Sequence, residues 1–166
     1  MKKFFLSHRQ AYLIGFFAAY FLVALALIIQ KKYNLEPCPL CITQRIIFMV
    51  LGLLFLMNAF IRPSDVIKKI SLVFLSATSI IGMVFSFKHI LIQSKVIDVP
   101  SECGVDLNYM FENFPFSKAL NLLFKGTGDC SHIDWTFLGL TIPELALIGF
   151  ILFFVYSVLL FRMNLK

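Results

Sequence analysis

Four long stretches of the chain are dominated by apolar residues. They run over about 11–29, 42–61, 67–92 and 143–161, and each is rich in Leu, Ile, Val and Phe. None shows the strict apolar/polar alternation of a half-buried strand, so the pattern predicts helices. A hydrocarbon core of roughly 30 Å needs about 20 helical residues to cross it, and a helix satisfies its own backbone in lipid. The pattern therefore predicts an all-α membrane protein. Its plan is a four-transmembrane-helix bundle forming a single integral membrane domain over 1–166, with loops at about 30–41 and 93–142. The first stretch has Lys2 and Lys3 ahead of it and Ala24-Leu25-Ala26 within it, the marks of a cleaved leader. Its apolar run continues through Leu27, Ile28 and Ile29, too long for a leader, so a retained span is predicted. In the second loop, residues 107–124 interleave Tyr109, Met110, Phe111, Phe114 and Phe116 with a few polar positions and are expected to lie on the membrane surface.

Composition agrees with that plan. Hydrophobic residues make up 60% of the 166 and charged residues only 14%, too few to clothe a soluble domain. The formal net charge of +6 does not indicate nucleic acid, because the basic residues punctuate apolar runs instead of forming one solvated face. Their placement fixes orientation instead. With four spans, both termini share one side with the short turn 62–69, and that side carries eight basic residues (Lys2, Lys3, Arg9, Arg62, Lys68, Lys69, Arg162, Lys166) against Asp65 alone. The other eight acids all fall on the opposite side. Basic residues accumulate on the cytoplasmic side, so the N- and C-termini are expected to be cytoplasmic and both loops periplasmic or otherwise external.

All four cysteines fall on the external side, where disulfides persist. Cys38-Pro39-Leu40-Cys41 is a C-x-x-C at the junction of loop and second span. Two intervening residues let both sulfurs meet when the second cysteine opens a helix. Unpaired amides and the positive end of the helix dipole then favour a thiolate at Cys41, a candidate nucleophile and electron donor. The same spacing also suits a structural staple or half of a metal site. Cys103 and Cys130 are too widely separated to supply the second close pair of a zinc ribbon, and no second histidine joins them, so no bound metal is expected. Both lie among turn formers, which suits an inert staple and equally suits exchange with a partner's sulfur.

Two ionisable residues sit at the same depth. Arg45 follows Cys41 by four positions, on the same helical face and about 6 Å further into the membrane. An arginine within a span is disfavoured by roughly 2.5–3.5 kcal/mol at the bilayer centre and less near its edge. It can snorkel to the headgroups, pair with Glu36, or donate hydrogen bonds to an oxygen of a membrane-borne electron acceptor. His89 stands at the outer end of the third span, where it either faces the headgroups or takes part at the same acceptor.

Glu36-Pro37-Cys38-Pro39-Leu40-Cys41-Ile42 with Arg45, and then His89-Ile90-Leu91-Ile92-Gln93, resemble the DsbB family of bacterial disulfide-bond formation proteins. The second loop extends the resemblance. Pro100-x-x-Cys103-Gly104-x-x-Leu107-x-Tyr109-Met110 and Gly128-Asp129-Cys130, followed by Trp135-x-Phe137-Leu138-Gly139-Leu140-x-Ile142-Pro143, are similar to the family's two signature stretches in order and spacing. With the four-span plan, the likeness covers nearly the whole chain. It implies an inner-membrane thiol:quinone oxidoreductase that reoxidises a periplasmic thioredoxin-fold dithiol protein of the DsbA type and passes the electrons to the quinone pool, ubiquinone or menaquinone. It implies redox-active pairs Cys38-Cys41 and Cys103-Cys130. Cys103 is the sulfur attacked by the partner, Cys130 then attacks Cys38, and Cys41 is released toward the quinone. Arg45 matches the family's quinone-binding arginine, and His89 is implied as a ring neighbour. Gln44 departs from the family pattern, where an acid precedes the arginine, and leaves open how Arg45 is held. Pro39-Leu40 sets the stiffness and redox poise of the C-x-x-C.

Two other readings compete. One is a structural or transport tetraspan protein whose disulfides staple its outer loops, although its ionisable span residues crowd the outer edge and not the midplane expected of a transporter. The other keeps the relay and reverses the electron flow, since direction depends on potentials that sequence does not carry.

Overall fold

The structure, a computed structural model, describes residues 8–60, 65–97, 128–131, 133 and 135–164. Cys103, His132 and the surface stretch at 107–124 lie outside the described residues. Four helices long and apolar enough to cross a membrane dominate the described part. They are α1 (His8–Tyr33), α2 (Pro39–Phe60), α3 (Asp65–Gln93) and α4 (Ile142–Asn164). Before α4 stand a short 3-10 turn, Gly128–Ser131, and a two-stranded hairpin of β1 (Thr136–Phe137) and β2 (Leu140–Thr141), paired Phe137 to Leu140 and Thr136 to Thr141.

Every helix starts ahead of the apolar stretch that announced it, and α1, α3 and α4 also end beyond theirs, because a helix stops where its backbone is capped and not where its hydrophobicity ends. In α1 the N–H of Leu35 returns to the Gln30 carbonyl at 3.0 Å across Asn34, which takes φ 48°. That closure ends α1 four residues beyond Ile29 and shrinks the first loop to residues 34–38. In α3 the corresponding closure runs from the N–H of Val96 to the Leu91 carbonyl at 3.0 Å across Lys95, at φ 56°. At the start of α4, Glu144 accepts from both the N–H and the hydroxyl of Thr141, at 2.6 and 2.9 Å, the glutamate half of a Ser/Thr-x-x-Glu cap. The hairpin turn Leu138-Gly139 has φ 54° and 82°, the left-handed pair that a two-residue hairpin demands.

The bundle packs α1 on α2, α2 on α3 and α3 on α4. Its core is aromatic. Phe48 of α2 stacks on Phe150 of α4 with ring centroids 3.9 Å apart and planes 7° from parallel. Phe55 meets Phe153 and Tyr156 at 5.8 and 6.0 Å. Glycine makes room for these rings: a Cβ on Gly82 would lie 2.4 Å from the Phe150 ring, and one on Gly15 would lie 2.6 Å from Phe55. Tyr156 also donates to the Ala11 carbonyl at 2.7 Å, tying α4 to α1. Buried Ser79, Ser157 and Asn58 return their polar atoms to carbonyls one turn earlier, which satisfies those three donors within their own helices. Phenylalanines and aliphatic side chains such as Phe17, Phe21, Phe74, Val84 and Leu152 cover the outside, the surface that a lipid-solvated bundle presents.

Candidate functional site

At one end of the bundle the C-terminal ends of α1 and α3 meet the N-terminal ends of α2 and α4. Here Cys38, Leu40, Ile92 and Cys130 form a second, smaller buried cluster, joined by Cys41 and Phe85. Pro39 opens α2, where its missing N–H costs nothing. Cys38 is consequently the capping residue: its carbonyl accepts from Ile42 at 3.2 Å, and its sulfur accepts the N–H of Cys41 at 3.4 Å. The Cys41 amide is directed to the Cys38 sulfur, and the Cys38 sulfur in turn lies against Cys41 Sγ.

Cys38 is the hub of the site. Its Sγ lies 3.2 Å from Cys41 Sγ and 3.6 Å from His89 Nε2. Sulfur and ring nitrogen atoms of Cys38, His89 and Cys130 all fall within 4.8 Å of one another. Hydrogen bonding to Cys130, then to Cys41, together with burial, pushes the Cys38 thiol far above its ordinary range, so it is a neutral thiol when reduced. His89 is 2% exposed and therefore does not face the headgroups. Its ring meets the Cys130 backbone, and Nδ1 lies 3.4 Å from the Gln44 amide nitrogen. Three separate elements thus converge on one sulfur.

Arg45 is half-buried beside this cluster. Its guanidinium donates to Oε1 of Gln30 at the end of α1 and makes no ion pair with Glu36, one of the partners expected from sequence. It also acts electrostatically on Cys41 and Cys38. Gln44, whose neighbouring arginine raised the pairing question, serves His89 instead.

Cys38, Cys41, Gln44, Arg45 and His89 form one wall of a cavity of about 480 Å³. Leu22, Ala26 and Ile29 of α1, Phe48 of α2 and Ala146 of α4 supply apolar walls, and Gln30, Gln93, Trp135 and Phe137 lie near its polar end. Trp135 stacks on Phe137 and reaches Tyr33 of α1, with ring centroids 6.0 and 6.1 Å apart. An apolar chamber with a few convergent polar groups is the form of a small-molecule site. The structure unites Cys38, Cys41, Cys130, Arg45 and His89, while Cys103 falls outside the described residues. Sequence reasoning gave no role to Gln30, and none to Trp135 or Phe137 beyond their place in a motif. A polar residue in the last turn of a span was the one available signal for Gln30.

Comparison with known proteins agrees with this arrangement. The family described as Disulfide bond formation protein DsbB matches residues 8–160. The chain is 50% identical over 152 residues to Disulfide bond formation protein B of Methylobacillus flagellatus, with 92% of each chain covered. Against the proteins of the same name from Methylococcus capsulatus and Nitrosococcus oceani, identity is 41% over 146 residues and 38% over 152. The alignments cover 87% and 92% of this chain and 88% and 90% of those relatives. Four membrane-spanning helices, cysteines gathered at one end of them and likeness along almost the entire length make this chain a member of the DsbB family, a multi-pass membrane protein of disulfide bond formation.

Proposed function

We propose that the protein is an inner-membrane thiol:quinone oxidoreductase that reoxidises a periplasmic DsbA-like dithiol protein. The observation that carries this reading is the position of Cys38, in contact with Cys41 on one side and within reach of Cys130 on the other, at the wall of an apolar cavity. Disulfide exchange requires three sulfurs to come together, an attacker, a centre and a leaving group. Cys130, Cys38 and Cys41 supply them in that order.

The partner's thiolate attacks Cys103 and releases Cys130. The Cys130 thiolate then bonds to the Cys38 sulfur, the Cys38-Cys41 bond breaks, and Cys41 leaves with the electron pair. Cys38 suits the central place, since its environment disfavours a thiolate there. Arg45 stands close enough for its charge to stabilise the departing Cys41 sulfur. The partner's second thiol displaces Cys103 and the partner leaves as a disulfide; Cys103 then bonds to Cys130 and frees Cys38, so that in each cycle two electrons and two protons pass from the partner dithiol, through the reduced Cys38-Cys41 pair, to the acceptor.

The cavity suits a quinone: its apolar walls match a ring and prenyl tail, and Arg45 and His89, with Gln93, offer donors at its polar end. A bound quinone supplies the acceptor for the electron pair and its protons. Arg45 would orient and polarise a ring oxygen there, His89 would hold or pass a proton, and Phe48 and Ala146 would exclude water. The basic residues Arg9, Lys69 and Arg162 lie toward the end of the bundle opposite the site, consistent with a cytoplasmic end and a periplasmic site.

An anaerobic mixture of the detergent-purified protein, a quinone and a reduced thioredoxin-fold dithiol tests this. Loss of the oxidised quinone absorbance is expected, catalytic in the protein and abolished in Cys103→Ser. No turnover with several quinones and dithiols, with all four cysteines remaining paired, would return the protein to a structural or transport role with stapled loops.

A further inference from the structure

The same three side chains that gather around Cys38 also have the chemistry of a metal site. Cysteine sulfur and imidazole nitrogen are the ligands that a tetrahedral, borderline-soft cation selects. Zinc bonds sulfur at about 2.3 Å and nitrogen at about 2.0–2.1 Å, so a tetrahedral angle between them separates the two ligand atoms by about 3.6 Å. Cys38 Sγ and His89 Nε2 are 3.6 Å apart. Cys130 Sγ completes a triangle whose corners all lie within 4.8 Å.

We propose that Cys38, His89 and Cys130 bind a thiophilic divalent cation such as zinc, and do so only when the cysteines are reduced. The ligands are 8%, 2% and 1% exposed, so little water has to be displaced. Two thiolates balance the ion's charge, which leaves the buried complex neutral without a counterion. Each ligand is fixed by a different element: Cys38 by the cap of α2, His89 by α3, and Cys130 by the 3-10 turn packed on α3. The Gln44 amide beside Nδ1 accepts the Nδ1 proton when its oxygen is turned inward, leaving the Nε2 lone pair for the metal. Cys41 Sγ, 3.2 Å from Cys38 Sγ, or a solvent ligand from the cavity takes the fourth position.

The site is gated by redox state because a sulfur held in a disulfide is no thiolate ligand. Binding releases two thiol protons and transfers no electrons. An ion bound there holds Cys38 and Cys130 apart as thiolates, blocking both the Cys38-Cys41 and the Cys38-Cys130 bonds. Zinc would then arrest the reduced protein until a chelator removes it. The inference rests on the geometry of the three ligands and not on the quinone reading.

The test is direct binding. Full-length protein in detergent is reduced anaerobically with a phosphine, freed of reductant and titrated with cadmium, following thiolate-to-cadmium charge-transfer absorption. One equivalent is expected to saturate the reduced protein, with no band from the oxidised protein. Gln44→Leu is expected to weaken binding about tenfold, and Cys130→Ser and His89→Ala to weaken it further, each with unchanged circular dichroism. Cys103→Ser should bind as tightly as the parent. The proposal is overturned by equal affinity in Cys130→Ser and His89→Ala, by a loss in Cys103→Ser as large as in Cys130→Ser, or by binding to the oxidised protein.

Discussion

Gln30 ends helix α1 with its carbonyl, which accepts the N–H of Leu35, and holds Arg45 of α2 with its side-chain oxygen. One residue therefore sets where the first helix stops and where the guanidinium points. Replacing it with leucine keeps the backbone closure and removes the hydrogen bond. On the proposed function, Gln30→Leu should raise the KM for quinone about 10- to 150-fold, the value of about 1.5–3 kcal/mol for a hydrogen bond to a charged group. Steady-state kinetics over a quinone series, with disulfide content checked by mass spectrometry, measures this. An unchanged KM would remove Arg45 positioning from the account.

The contact between Cys38 and Cys130 predicts a specific cross-link. In the double variant Cys41→Ser, Cys103→Ser, only those two cysteines remain, with sulfurs already within 4.8 Å. Mild oxidation should join them almost completely, since a disulfide needs only a small approach of the two sulfurs. Peptide mapping without reduction reads the result. Two persistent thiols would mean that the 3-10 turn does not rest on Cys38.

The environment of Cys38 predicts its pH behaviour. Hydrogen bonding to Cys130 and Cys41, with burial, raises its titration above the usual thiol range. The raised position means that the neutral form persists as pH rises, and only the thiolate reacts with alkylating agents. In the reduced protein, labelling of Cys38 by iodoacetamide should stay far slower than that of an ordinary thiol at every pH from about 6 to about 9, and should not level off in that range, since its thiolate fraction is still rising well below the raised pKa. Site-resolved mass spectrometry reports the rates, and a Cys38 rate equal to that of an ordinary thiol, or one that levels off below about pH 9, would contradict the assignment.

Two small residues on α3 should respond with opposite signs. Gly82→Ala places a methyl 2.4 Å from the Phe150 ring, which is itself stacked on Phe48, and is expected to destabilise the bundle by about 1–3 kcal/mol. Ser86 has a buried hydroxyl with no hydrogen-bond partner. Ser86→Ala removes that burden and should be neutral or stabilising by up to about 1 kcal/mol. Thermal unfolding in detergent separates the two, and a destabilised Ser86→Ala would indicate a partner for the hydroxyl.

The four spans were legible because lipid leaves the chain few alternatives, and hydrophobic runs of sufficient length announce themselves. The C-x-x-C and Arg45 were legible because their spacing carries meaning on a single helix. Gln30 and Gln44 were not, because their roles exist only between helices: which face of α1 meets α2 depends on how the phenylalanine core packs. His89 was half legible. Its depth could be counted along the span, but its burial depends on Cys130 folding back from a distant loop. The cap at the start of α4 was readable, with Thr141 three residues before Glu144, and only its local signature had to be noticed.

The groups that hold Arg45 and His89 are both amides. A carboxylate in the place of Gln30 would cancel the guanidinium charge within the chamber; an amide orients the arginine and leaves that charge whole. Glu36 stands exposed at the rim and does not neutralise it. The chamber is thus a small electrostatic trap with an apolar lining, in which a ligand that acquires negative charge is held more firmly than the neutral molecule that entered. Phenolate-like occupants should therefore outcompete their uncharged counterparts, and added salt should do little to dislodge them, since screening reaches poorly into a buried pocket.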